Sequence, residues 1–543
     1  MNNNLSNQNL ELIKKLTYDL VKINSISGTK GEVQAASYIY NFLASLNYFK
    51  KNKENLILQE LNDNIGRKNI IAIIKGSSLK SNNVIVLLSH FDTVDIEDYQ
   101  NLKEFAFDID NLTLKIKEIY LNYNINQKLN SDINELIEDI RSNNYLFGRG
   151  ILDMKSGVAV NLAIIKELTE NIDNLDGIVI AIFVSDEETN SLGMLKAVDF
   201  LYYYKKNNKV NYITCIDTDY IVKVKQNDGI LVNSYYGSIG KILVGFYVKG
   251  IETHVGESYK GLNPLLILSK IVNSLEMNKN VIDKRGKDVV PPTFIYSKDL
   301  KDSYSVKTPS DAFAFLNILI FDNKVNKIIS NIKRILKNVL SPLVYKYELE
   351  ILDYEEFSKL LKLKLKDNYD EIYSKIKQKL YNEYINGKID ERFYSLYFVK
   401  NLNECLDFKP RVILFLSAPF YPAVFNKNKK LVKILKNILK NFDGKYGYRY
   451  NIKQFFPYIS DLSFLGKVDN VDYIKNNLVG FNEIYFLDFE KMNYISMDVF
   501  DVGSLGNDAH KFTERLDSFY TFNILPNVIF NFINEIFENT VQN

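Results

Sequence analysis

Tryptophan is missing from this chain, cysteine occurs twice and histidine three times in 543 residues. Cys215 and Cys405 are far apart in sequence, which excludes a disulfide framework and makes a reducing cytosol the expected compartment. No apolar run approaches the ~20 residues a bilayer-spanning helix needs, so no membrane partner is expected. The 68 basic side chains nearly cancel the 66 acidic ones, leaving no charge excess for nucleic acid or an anionic lipid surface. The opening MNNNLSNQNLELIKKL lacks the basic start and apolar stretch of a signal peptide, so a cytoplasmic protein is expected. The abundance of Asn, Lys, Ile and Tyr looks like base bias and carries no function.

The chain is longer than one hydrophobic core usually serves, so two domains are expected. Residues 10–23 and 31–46 have helical apolar spacing. IIAIIKG (70–76) and VIVLLSH (84–90) are short, continuous, β-branched runs, the pattern of strands buried on both faces. A helix over 156–170, a strand over 178–188, a helix over 192–206 and a strand over 212–220 follow. That rhythm predicts an α/β fold with a mainly parallel sheet. Around residue 235 the pattern changes. KILVGFYVKG (241–250) alternates like a half-exposed strand, 263–275 is helical, and the Lys- and Tyr-rich stretch 340–400 resembles solvated amphipathic helices. RVILFL (411–416) returns to the buried-strand pattern, with helices over 431–442 and after Leu525. The reading is a catalytic α/β domain over 1–234 and 410–543, interrupted by an inserted α+β domain over 235–409.

Ligands of open α/β sheets bind beyond the C-terminal ends of the strands. There the chain places His90 and Asp92 at one strand end, Glu187 and Glu188 at another, and Asp217 and Asp219 at a third. GRGILDMKSG (148–157) sets Asp153 in a loop before a helix, and GNDAHKFTE (506–514) sets His510 after a further strand. Each piece has a plain structural reading: a polar loop, a solvated turn, a helix N-cap at Asp153. Order and position together argue for a two-metal site, since imidazole and carboxylate are normal zinc ligands and a paired site needs a bridging carboxylate. In His90-Phe91-Asp92 the carboxylate can hold one ring nitrogen while the other binds metal. Adjacent Glu187 and Glu188 point apart on extended backbone, so one suits a ligand and the other a base.

The stretches INSISGTKGE, LLSHFDTVD, YLFGRGILDMKSG, VSDEETNSLGM, IDTDY, YYGSIGK, KGIETHVGES, VPPTFIYSKDLKDSYSVKTP, FPYISDLSFL and GNDAHKFTERL occur in that order. They resemble the zinc-dependent exopeptidases and deacylases that include glutamate carboxypeptidase, aminoacylase, acetylornithine deacetylase and succinyl-diaminopimelate desuccinylase, with the nearest likeness in an arginine-utilisation branch. The resemblance implies a di-zinc hydrolase domain with an inserted lid, two Zn2+ ions (Co2+ or Mn2+ as substitutes), and a small peptide or N-acylated amino acid as substrate. His90 would ligate the first metal with Asp92 orienting it, and Asp153 would bridge. Glu187 would be the general base, and Glu188 and His510 would hold the second metal. Asp219, ahead of Asp217, would complete the first site. His254 in the lid would donate to the oxyanion, and Asn317 would match the family's lid asparagine. No arginine of the lid matches the family's binder of a substrate carboxylate. Many relatives dimerise through the lid, so a homodimer is an expectation. The competing reading is a non-catalytic metabolite-binding protein on the same scaffold.

Overall fold

The computed structural model describes residues 5–77, 81–121, 131–282 and 290–541. Contacts divide the chain into two units, one of Met1–Ser238, Phe425–Gly466 and Lys491–Asn543, the other of Ile239–Val424 and Lys467–Glu490. The chain thus passes between units four times, where a single insertion over 235–409 would require two. The second unit runs beyond residue 409 because the strand Arg411–Tyr421 pairs with Gly240–Lys249, not with the first unit's sheet.

The first unit is built on a nine-stranded sheet. Its centre is parallel: Ile178–Val184, Asn83–His90, Asn211–Asp217 and Asp498–Asp501 lie side by side in that order. Lys68–Lys75 and then Leu56–Glu60 add antiparallel at one edge, while Gly229–Tyr235, Tyr448–Lys453 and Val224–Gln226 extend the other. Ile178–Val184 is buried at every position and Asn83–His90 at all but the first, as expected of strands covered on both faces. Helices Asn7–Val21, Lys30–Ser45, Ser156–Glu170 and Leu525–Val541 contribute to the same apolar core. Register fixes where the polar tips emerge. His90 stands opposite Val184, Leu88 opposite Asp217, and Asp217 opposite Asp501, so four parallel strands end along one edge.

A four-stranded sheet of very short strands, Tyr145–Phe147, Arg515–Asp517, Leu505–Asn507 and Ile221–Val222, has no counterpart in the sequence reading. It carries both the loop that leads to Asp153 and the loop that bears His510.

The second unit has a five-stranded sheet ordered Thr293–Asp299, Asp311–Ile320, Gly240–Lys249, Arg411–Tyr421, Glu350–Asp353. Gly240–Lys249 is buried almost throughout, in contrast to the half-exposed strand expected. Its Leu243 and Tyr247 join a cluster with Phe357, Tyr394 and Phe398 of the helices between 354 and 404. The alternate residues Ile242, Val244, Phe246 and Val248 are buried as well, and helix Pro264–Leu275 also packs against the strand. The Tyr-rich stretch therefore forms helices whose aromatic side chains supply core, with the lysines outside. Among the described residues, no helix is long and apolar enough to cross a membrane.

Candidate functional site

The polar residues at the sheet edge converge. Asp153 lies between two imidazoles, its Oδ1 3.0 Å from His90 Nε2 and its Oδ2 2.9 Å from His510 Nε2. Glu188 Oε1 is 3.1 Å from the same His510 nitrogen, and Glu187 Oε2 is 3.8 Å from His90 Nε2. Ligand atoms of His90, Asp153 and Asp219 lie within 4.8 Å of one another, as do those of Asp153, Glu188 and His510, and those of His90, Glu187 and Glu188. The sets share Asp153, His90 and Glu188. Asp217 belongs to none of them; its carboxylate instead accepts from Ser460 Oγ at 3.0 Å. His254 is part of the second unit and does not appear in these sets either.

The backbone explains the convergence. Asp92 accepts from the main-chain N–H groups of Glu187 (3.1 Å) and Glu188 (3.2 Å) and from the Ser27 hydroxyl (2.6 Å), so it fixes the turn that carries both glutamates. Its link to His90 differs in detail from the expected carboxylate clamp. His90 Nδ1 is 3.2 Å from the Asp92 carbonyl oxygen and 3.6 Å from Oδ1, so the main chain is the nearer partner. Two glycines permit close approach at the Asp219 corner. A Cβ at Gly503 would sit 1.3 Å from the Asp219 carbonyl oxygen, and one at Gly157 would sit 2.4 Å from that of Thr218. Neither position tolerates a side chain without moving the strand end.

Several further residues shape the site, and all but Arg67 and Asp63 sit in the motifs quoted above. Arg67, almost fully buried, reaches Asp63, Glu32 and Asp186. Glu32 in turn accepts from the Asp186 N–H at 3.0 Å, which holds the entry to the two-glutamate turn, and burial pushes its carboxyl up to about 8. Glu514 accepts from the N–H groups of Leu152 (3.0 Å) and Asp153 (3.3 Å) and pairs with Arg149 at 2.9 Å. Asp461, from FPYISDLSFL, is buried, and that burial pushes its carboxyl up to about 8.

Electrostatics describe a site short of positive charge. Burial drives the carboxyls of Glu187 and Asp219 well above the usual carboxylate range, with Glu188 and Asp461 adding to it for Glu187 and Asp153 for Asp219. Burial and the neighbouring Asp153 push Glu188 up to about 7. Asp153 moves the other way: burial opposes its charge, but the hydrogen bonds to His510 and His90 hold it low. His510 is pushed up to about 11 by Asp153 and Glu188 against the opposing effect of burial. Within the three ligand sets the only nitrogen donors are His90 and His510. Two divalent cations would relieve that imbalance and displace the imidazole protons. Imidazole with carboxylate oxygen is the donor chemistry zinc takes, and one carboxylate stands where it can serve both ions. The residues present fit such a pair.

The chain is similar to several known proteins. Residues 86–482 match the sequence pattern of peptidase family M20/M25/M40. The Bacillus subtilis (strain 168) protein YqjN is 33% identical over 537 residues, covering 96% of this chain and 95% of its own. The RocB protein of the same organism is 31% identical over 547 residues, covering 96% and 94%. Among solved structures, aminopeptidase PepT of Bacillus cereus ATCC 10987 superposes with a TM-score of 0.55 at 13% identity, over 97% of this chain and 98% of that one.

Proposed function

The chain belongs to peptidase family M20/M25/M40, which makes it a hydrolase of amide bonds, and from that premise we propose that it cleaves a small peptide or an N-acylated amino acid with two metal ions. The observation that carries the reading is the placement of Asp153 between His90 and His510, one oxygen toward each ring. His90, Asp153 and Asp219 would hold the first ion; Asp153, Glu188 and His510 would hold the second. When bound, zinc (or cobalt or manganese in its place) would lower the pKa of a shared water and polarise the substrate carbonyl.

The protein's own groups do the rest. Glu187, beside the ligands and outside the Asp153–Glu188–His510 set, takes the proton from water and returns it to the leaving amine. Asp92 keeps Glu187 and Glu188 in register through their main-chain N–H groups and steadies His90. His254 donates to the oxygen on which negative charge develops. Its Nδ1 accepts the Gly256 N–H at 3.1 Å, which leaves the ring proton on Nε2, free to donate. In this proposal the second unit serves as the lid that brings His254 to the substrate and excludes water. Cytoplasmic amino-acid catabolism, arginine included, is the context we propose, from the arginine-utilisation likeness of the motifs.

The test is a screen of acylated amino acids and short peptides with protein loaded with zinc or cobalt. Hydrolysis that a chelator abolishes and metal restores is expected, with about two transition-metal ions per chain. A metal-free protein, inert on every substrate and indifferent to chelator, would sink the reading. The first site has its own check in the same metal analysis. Asp219→Ala is expected to lose one ion and Asp217→Ala to keep both; the opposite pattern would transfer the role to Asp217.

A further inference from the structure

Between the strand end at His90 and the loop of Asp153, the chain inserts residues 96–147, to which the mechanism above gives no task. Their described parts form a separate apolar cluster of Tyr99, Leu112, Ile116, Leu136, Ile140 and Phe147, with Phe512 from the His510 loop packed against it. That loop needs support. Asp508 and His510 both adopt left-handed backbone, φ 61° and 67°, which non-glycine residues disfavour, and the His510 side chain is 46% exposed, so packing alone does not hold it.

Two buried arginines hold the loop. Arg149 donates to the His510 carbonyl oxygen at 3.4 Å and to Glu514 at 2.9 Å. Arg515 donates to the Asp508 carboxylate and, at 3.4 Å, to the Thr513 carbonyl oxygen. Each arginine takes a further carboxylate from the inserted segment, Asp98 for Arg149 at 2.7 Å and Asp139 for Arg515 at 2.8 Å. The other oxygen of Asp139 receives Lys223 Nζ, which also meets Glu135 at 2.9 Å, and Glu135 accepts from Asn507 at 3.1 Å. Buried arginines keep their geometry only while their counter-charges are in place.

We propose that the described parts of 96–147, residues 96–121 and 131–147, are a brace for the His510 loop, and that Asp98 and Asp139 are positioning residues which set the affinity of the second metal ion through Arg149 and Arg515. This rests on the two-ion reading above. Neither aspartate belongs to the three ligand sets; each keeps an arginine in place, and the arginines keep His510 Nε2 within 2.9 Å of Asp153 and 3.1 Å of Glu188. Such outer partners of a ligand are worth about 10- to 100-fold in metal affinity.

The experiment titrates the ion-free full-length protein with Co2+ against a chelating indicator and follows two binding steps, with Zn2+ content after dialysis as a second readout. Asp139→Asn and Asp98→Asn are each expected to weaken one step by about 10- to 100-fold and leave the other as in the parent, and Asp139→Glu to recover part of the loss. Parent affinity at both steps in the two asparagine variants overturns the proposal, and so does equal weakening of both, the mark of a merely loosened fold. Should Asp139→Asn fail to fold, Asp98→Asn decides, since the Asp98 side chain is one-third exposed and its loss leaves Arg149 its bond to Glu514. His510→Ala separates the two readings. If it keeps both ions, the assignment of His510 as a ligand fails. If it loses one while Asp139→Asn and Asp98→Asn lose none, only the brace fails.

Discussion

Glu187→Gln is expected to fold, to keep both metal ions and to lose turnover by at least ~10²–10⁴-fold, the usual contribution of a positioned proton carrier. The substitution preserves side-chain shape and removes only the ability to accept and return a proton. The turn around it should persist, because it is held from the main chain: the N–H groups of residues 187 and 188 donate to Asp92, and Asp186 is fastened by Arg67 and Glu32. Glu188, the neighbour within 3.1 Å of His510, keeps its place. Metal content and kcat measured on the same preparation check this. Loss of an ion from Glu187→Gln would exchange the roles of the two glutamates. Unchanged turnover would remove Glu187 from the chemistry.

The second large effect is expected at His254. His254→Ala should retain both ions and lower kcat by ~10²–10³-fold, the cost of one oxyanion donor. The ring has a structural task as well, capping the short helix Val255–Lys260 by accepting the Gly256 N–H. Asparagine can accept that same bond, so His254→Asn removes the Nε2 donor while keeping the cap. Equal losses in the alanine and asparagine variants identify the donor as the working group. A near-normal asparagine variant would reduce His254 to a cap, and the oxyanion role would fall.

Much of the first unit could be read before any coordinates, because its central strands obey a simple rule. Segments such as Ile178–Val184 have a helix-covered face on either side and so are apolar at consecutive positions, ending abruptly in polar residues where the sheet ends. His90, the glutamate pair and the Asp217–Asp219 stretch were legible for that reason. Asp153 and His510 sit in loops and were legible from their place before a helix and after a strand, with their roles implied by the resemblance. The sheet that carries both loops was not: strands of two or three residues have no periodicity to detect. Gly240–Lys249 imitates alternation through Lys241, Gly245 and Lys249, while the helices that supply one of its two covers lie between residues 354 and 404, more than a hundred positions later. Arg149, Arg515 and Arg67 look like ordinary surface charges in a list of letters. Their importance comes from burial against partners distant in sequence, as in Arg149 with Glu514.

The way the chain interleaves its two units has a consequence for biosynthesis. The second unit has all its residues once Glu490 has left the ribosome. The first does not: Asp498–Asp501, which fills the gap between Asn211–Asp217 and Gly229–Tyr235, follows every other strand of that sheet in sequence. A nascent chain short of residue 498 carries His90, Asp153 and Glu188 on a sheet interrupted in its middle, with His510 not yet made. Under the two-ion proposal, the second ion's site would be complete only once His510 has been made, after the other proposed ligands.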